Sequence, residues 1–182
     1  SIFKVKKNSE QFIYNKDYQS TGIVHSMING LKKMDDEDTL ILYSDIIFNK
    51  SIIKRLVKTK PKNITIPVLY NWSKIWKKRG QNIYDDAENL IIKNKQIIEI
   101  GTKITDLDKV KHQYMGMVYI PKGLFPSILN NYLLCKKNID MTSFINFMVK
   151  KNFVFNTLLY SGKWYEIDNY LDLINFNQFI RN

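Results

Sequence analysis

At 182 residues with 45% hydrophobic composition, the chain is long enough for one domain with a sizeable core, and no apolar run in it approaches the ~20 residues that cross a bilayer. No basic leader precedes an apolar segment, and the only cysteine, Cys135, excludes an internal disulfide, so a reducing, cytoplasmic compartment is expected. The net charge of +11, from 28 Lys+Arg against 17 Asp+Glu, favours anionic partners, but the basic residues are scattered in pairs without a dense cluster, which makes nucleic acid an unlikely partner.

In chain order, Phe3 to Val5 and Gln11 to Tyr14 read as short strands. Ser20 and Thr21 are N-cap types for a helix through Met34, whose Ile23, Val24, Met27, Ile28 and Leu31 form one apolar stripe. Asp35, Asp36, Glu37 and Asp38 cannot all face one ion and read as a solvated turn. The stretch from Thr39 to Phe48 then organises the chain, as a strand buried on both faces that ends at Asp45. Ligands of open α/β sheets bind at that carboxyl edge, so Asp45 is a candidate metal or substrate ligand. The alternative is a cap on the helix expected near Ser51 to Val57.

Pro61 breaks the chain before a strand over Ile64 to Leu69, and Trp72, Trp76 and Arg79 follow on one face of a helix. Ala87 to Ile92 and Gln96 to Gly101 form a hairpin with an Asn-containing turn. Gln113 to Ile120 is a strand closed by Pro121, and its internal Gly116 marks a close approach of backbone or ligand. Helices follow over Leu124 to Cys135 and Thr142 to Lys150, with Cys135 read as a buried small hydrophobe. A strand pair turning at Ser161-Gly162 and a last helix from Leu171 complete a single domain over residues 1–182 with no internal repeat.

Tyr43-Ser44-Asp45-Ile46-Ile47-Phe48 resembles the first metal-binding motif of the sugar-nucleotidyltransferase superfamily. The branch it resembles is that of the bacterial choline-phosphate and 2-aminoethylphosphonate cytidylyltransferases. Ser20 to Ser26, Trp72 with Trp76 and Arg79, Asp86-Ala87-Glu88, Ile100-Gly101 with Lys103, Gln113 to Gly116, Asp140-Met141-Thr142 and Trp164 to Asp168 match that branch in order. The resemblance implies an α/β fold: a Rossmann-like, mixed, mostly parallel sheet flanked by helices, related to that of the glycosyltransferases. The glycine-rich loop with an arginine and a lysine that opens the family has no counterpart here, so the resemblance implies an N-terminally incomplete domain. Residues 1–182 alone are then expected to show no measurable turnover. They are also expected to leave a sheet edge uncovered beside Leu40 to Tyr43, which favours self-association.

The implied reaction joins CTP to a small phosphate or phosphonate with release of pyrophosphate, making a CDP-activated compound for surface polysaccharide or phosphonate metabolism. The nucleophile is already ionised near neutral pH, so charge neutralisation and alignment matter more than a general base. The resemblance makes Asp45 and Asp168 the acids for a Mg2+ ion, with Glu166 two residues from Asp168 on the same strand face, and Lys103 a catalytic cation. Trp72, Asp140, Arg79 and Tyr165 are the candidates for binding the acceptor, whose ammonium group suits an aromatic face beside an acid. Two other classes remain open. A metal-dependent glycosyltransferase usually needs Asp-x-Asp, which Asp45-Ile46-Ile47 does not supply, and a basic binding module would need a continuous cationic face.

Overall fold

A computed structural model describes residues 12–34, 37–70, 72–79, 87–104, 106 and 110–181. The strand expected over Phe3 to Val5 lies outside them, and Phe12 to Tyr14 form no strand. The buried centre of the sheet is β3 (Ile64–Leu69), whose six residues are all buried. It pairs in parallel with β8 (Phe155–Tyr160), from Ile64 opposite Phe155 to Leu69 opposite Tyr160. On its other side it meets β7 (Met117–Ile120) at Thr65 opposite Tyr119 and β6 (Gln113–Tyr114) at Val68 and Leu69, both antiparallel. Pro67 has no N–H to donate, and it falls in the gap between those two pairings.

The Thr39–Phe48 run departs from its reading as one central strand. Its first part, β1 (Thr39–Leu42), is an edge strand paired antiparallel with β7, and exposure rises along it until Leu42 faces solvent. Its second part, β2 (Ile46–Phe48), leaves the sheet and forms a separate antiparallel ribbon with β9 (Trp164–Glu166). Apolar content alone does not separate one long central strand from two short strands with one buried face each. The mixed α/β class holds, with β1, β3 and β8 running one way and β7 reversed between the first two.

The helix α1 (Ile23–Leu31) buries Val24, Met27, Ile28 and Leu31, the expected stripe without Ile23, which is exposed. Ser20 and Thr21 do not cap it; their hydroxyls donate to the Asp17 carbonyl and close the preceding turn. With α4 (Phe125–Tyr132) and α5 (Met141–Lys150) it covers one cluster of buried residues against Ile64, Ile66 and Val68. A second cluster joins Leu69 to α2 (Ser51–Thr59), α3 (Trp72–Arg79) and the β2–β9 ribbon, with Phe176 of α6 (Tyr170–Arg181) against Tyr165. Tyr43 packs against both clusters. Asp38 is exposed, as expected of a solvated turn, and also accepts from the Tyr119 hydroxyl at 2.8 Å and the Lys122 N–H at 3.0 Å.

The hairpin of β4 (Glu88–Lys93) and β5 (Gln96–Lys103) turns at Asn94 and Lys95, both at positive φ, the geometry that two-residue hairpin turns require. Only its tip joins the sheet, through Gln96 opposite Asn156 and the Thr157 N–H on the Lys95 carbonyl. Its far end returns to β6, where the Gln113 side chain exchanges two hydrogen bonds with the Glu88 backbone, at 3.2 and 2.6 Å. No helix among the described residues is long and apolar enough to cross a membrane.

Candidate active site

Beyond the carboxyl ends of β1 and β3 lies a cleft of about 340 Å³. Tyr43 follows β1 into it, and Gly116 makes room for the Tyr43 ring. Gly116 has φ +67°, and a Cβ on it would stand 3.0 Å from the Tyr43 Cγ. The Tyr43 N–H also donates to the Gly116 carbonyl at 2.9 Å. The close approach read from Gly116 is therefore one of backbone to ring. Tyr114 meets Tyr43 edge-on with centroids 5.8 Å apart. Burial pushes the Tyr43 phenol far above its ordinary range, with the Tyr114 phenol opposing and Glu166, Glu88 and Asp140 adding to the rise. Burial does the same to Tyr114, helped by Tyr43 and by Glu166 and Glu88. Both hydroxyls stay protonated at any physiological pH.

Three carboxylates from three elements line the same cleft: Glu88 of β4, Asp140 before α5 and Glu166 of β9. Asp140 is the N-cap of α5, its Oδ1 accepting from the Ser143 N–H at 2.7 Å. Partial burial pushes that carboxyl up, but the hydrogen bonds from Ser143 and Thr142 outweigh it and hold the group below the ordinary carboxylate range. Glu88 is aimed by an irregularity in the hairpin. Asn89 stands opposite Thr102 but Leu90 opposite Ile100, which leaves Gly101 without a partner at φ +78°. This is a glycine bulge, which bends the strand and redirects the residues beside it. Trp76 supplies an aromatic wall, stacked on Trp164 with centroids 5.5 Å apart and planes 8° from parallel.

The sequence-predicted residues divide. Asp140 and Glu166 line the cleft. Lys103 is exposed at the end of β5, directly opposite Glu88 in the hairpin register. Trp72 does not line it: it is 3% exposed, and its indole N–H donates to the Val110 carbonyl at 3.0 Å. One turn later Trp76, itself 4% exposed, lines the cleft instead. Tyr165 is 1% exposed and tilts against Phe176, so it is a core residue. The Arg79 side chain and Asp86 lie outside the described residues.

Asp45 and Asp168 lie at the same end of the β2–β9 ribbon. The Ile167 N–H donates to the Asp45 carbonyl at 2.9 Å, which places Asp45 one register step from Asp168. Both are exposed. Glu166 stands opposite Ile46, hence on the other face of the ribbon from Asp45, and it belongs with the cleft rather than with a shared metal shell. Asp168 is not the N-cap of α6. Asn169 accepts from the Asp172 N–H, and the buried Asp172 carboxylate accepts from the Asp168 N–H, both at 3.1 Å. The Asn-x-x-Asp spacing was the signal for this capping pair. Two residues from Glu166, Asp168 falls by the same alternation on the Glu166 face, so the ladder does not bring together the two acids expected to share a magnesium ion; a single exposed carboxylate, that of Asp45, still suits an ion that keeps waters for phosphate oxygens. Among the described residues no group of three His, Cys, Asp or Glu forms a protein-only metal cage.

Solved structures share this arrangement of elements. The inositol-1-phosphate CTP transferase from T. maritima superposes with a TM-score of 0.70 over 87% of this chain and 60% of its own, at 16% identity. The CTP:phosphocholine cytidylyltransferase from Streptococcus pneumoniae gives 0.62 over 91% of this chain and 67% of its own, at 12% identity. The chain has a sugar-nucleotidyltransferase-like fold. In sequence, the CTP:phosphoglutamine cytidylyltransferase of Campylobacter jejuni is 29% identical over 183 aligned residues, covering 92% of this chain and 72% of that protein. No family model matches. The nucleotidyltransferase resemblance read from the ordered motifs is thus supported by both sequence and fold. The chain spans less than two thirds of the length of the T. maritima enzyme. Sequence reasoning quoted Tyr43, Tyr114, Thr142 and Gly101 within the matching motifs but gave them no role, although a glycine late in a hairpin strand is a recognisable bulge signal.

Proposed function

We propose that this protein is a cytidylyltransferase that transfers the cytidylyl group of CTP to a small acceptor bearing a phosphate or phosphonate. An acceptor oxygen attacks the α-phosphorus, the bond from that phosphorus to the bridging oxygen breaks, and pyrophosphate leaves. The observation that carries this reading is the 29% identity to a CTP:phosphoglutamine cytidylyltransferase across 92% of the chain. The fold and the position of the cleft beyond the β1 and β3 ends agree with it.

On this reading Asp45 would hold a magnesium ion through a single carboxylate, and the ion when bound would neutralise phosphate charge and line up the reacting groups. Lys103, opposite Glu88 in the hairpin, would add a cation for the acceptor phosphate. The non-reacting end of the acceptor lies in the cleft against Trp76, with its amino group facing Glu88, Asp140 and Glu166. An ammonium near an aromatic face and carboxylates is held by cation–π attraction and charge pairing. Tyr43 and Tyr114, kept protonated, lie beside that end as neutral phenols.

The test is pyrophosphate release by the full gene product with CTP, magnesium and a panel of acceptors: phosphocholine, phosphoethanolamine, 2-aminoethylphosphonate, phosphoserine and phosphorylated glutamine. Amino-bearing acceptors should be turned over with CTP and poorly with other nucleoside triphosphates. Pyrophosphate release indistinguishable from the acceptor-free control throughout the panel would overturn the reading.

A further inference from the structure

Thr142 is the second residue of α5 and is 7% exposed. Its hydroxyl oxygen stands 3.0 Å from Glu88 Oε1 and 3.1 Å from Asp140 Oδ1. A hydroxyl carries one proton, so it donates to one of these carboxylates at a time. The two acids come from elements distant in sequence, β4 and the start of α5, and this hydroxyl is the atom that both of them reach. Gly101 permits the approach. A Cβ there would stand 2.9 Å from both the Cβ and Oγ1 of Thr142, so any side chain at the bulge would displace the hydroxyl. The bulge that turns Glu88 towards the cleft thus also clears the path for Thr142.

We propose that Thr142 is a positioning residue that fixes the Glu88 and Asp140 carboxylates relative to one another, and thereby sets the affinity for the amino-bearing end of the acceptor. This rests on the cytidylyltransferase reading for its consequence, though not for the contact itself. The packing explanation, in which Thr142 merely fills space under the hairpin, assigns its function to the γ-methyl group. The two explanations separate on substitution. Thr142→Val keeps the shape and both branches but removes the proton donor, whereas Thr142→Ser keeps the donor and removes the methyl.

Hydrogen bonds to charged groups typically change an equilibrium by roughly tenfold to a hundredfold. Thr142→Val should therefore raise the acceptor KM by about that factor with the KM for CTP within twofold of wild type, and Thr142→Ser should recover most of the loss. Equal rises in both KM values, an unchanged acceptor KM in Thr142→Val, or a Thr142→Ser variant as impaired as Thr142→Val would each overturn the proposal. A second readout needs no turnover. Carboxyl-carbon NMR should show the Asp140 titration moving upward in Thr142→Val and returning in Thr142→Ser, with Glu88 and Glu166 followed in the same spectra as the other acids facing it. An Asp140 titration unmoved by Thr142→Val overturns the proposal whatever the enzyme does. Movement there, in a protein that turns over no acceptor, upholds the contact and strikes only the assigned reaction.

Discussion

Replacing Gly101 by alanine tests whether the bulge is a contact device or merely a permissive turn. Two costs are expected, and a second glycine separates them. Gly101 at φ +78° and Gly123 at φ +80° both hold a backbone conformation that an L side chain adopts only at ~1–2 kcal/mol. Around Gly123 a Cβ meets nothing within 4 Å, so Gly123→Ala carries the conformational cost alone. At Gly101 the added Cβ stands 2.9 Å from the Thr142 Cβ and Oγ1 and 3.2 Å from the Thr142 carbonyl carbon, so the start of α5 must move or the hairpin must lift. Overpacking of this kind typically adds ~1–3 kcal/mol. A chain of this size loses roughly 2–4 °C of Tm per kcal/mol. Gly123→Ala should therefore lower Tm by about 2–8 °C, and Gly101→Ala by about 4–20 °C. Gly101→Ala should also raise the acceptor KM, because the displaced hydroxyl no longer reaches Glu88, while Gly123→Ala should leave it alone. Thermal unfolding and acceptor titration on the two variants decide the matter. Equal Tm losses with unchanged acceptor KM in both would refute the idea that the bulge places Thr142.

Other outcomes follow from the placement of single residues. Asp45→Asn should reduce pyrophosphate release by at least ~10²–10³, and because Asp45 is exposed its Tm should stay within about 1 °C of wild type; a large Tm loss would show a structural role instead. Trp72→Phe should lower Tm by about 2–4 °C through loss of the bond to the Val110 carbonyl, with acceptor KM unchanged in steady-state kinetics. The Asp140 carboxyl is held below its ordinary value, so its charged form stabilises the fold above the unfolded pKa of ~3.9, and this contribution fades as pH falls through the lower folded value. In thermal melts, Asp140→Ala should trail wild type at pH 7 and draw level in strong acid. Asp140→Asn, which keeps a capping oxygen, should cost little Tm but raise the acceptor KM.

How much of the fold was legible depends on what each signal encodes. The α1 stripe, the hairpin and its Asn94 turn, and the stop at Pro121 were readable because periodicity and turn chemistry are local, whereas Gln113 to Ile120, read as one strand, is broken at Met115-Gly116 into β6 and β7. The Thr39–Phe48 run misled because apolar content does not report pairing partners. Leu42 and Ile46 look alike in sequence, yet one ends an edge strand and the other begins a separate ribbon. Trp72 and Trp76 share a helical face, so spacing could not tell which ring reaches the cleft. That choice is made by Val110 and Trp164, contributed from 38 residues after Trp72 and from β9.

The site was legible as a set of acids and opaque as an arrangement. Asp140 and Glu166 could be named because the motifs that carry the family resemblance contain them, but nothing local says that Glu166 faces the cleft while Asp45 lies on the other face of the ribbon. One register fixes both facts: Ile46 opposite Glu166 forces Asp45 opposite Ile167, and alternation sends the two acids to different faces of the ribbon. The same logic governs the hairpin, where a single unpaired glycine changes which way Glu88 points and which helix residue can touch it. A one-residue shift at either ladder would keep every motif intact in sequence and dismantle the cleft. The motifs therefore mark the ingredients of the chemistry, and the two ladders, each only a few residues long, decide whether those ingredients meet.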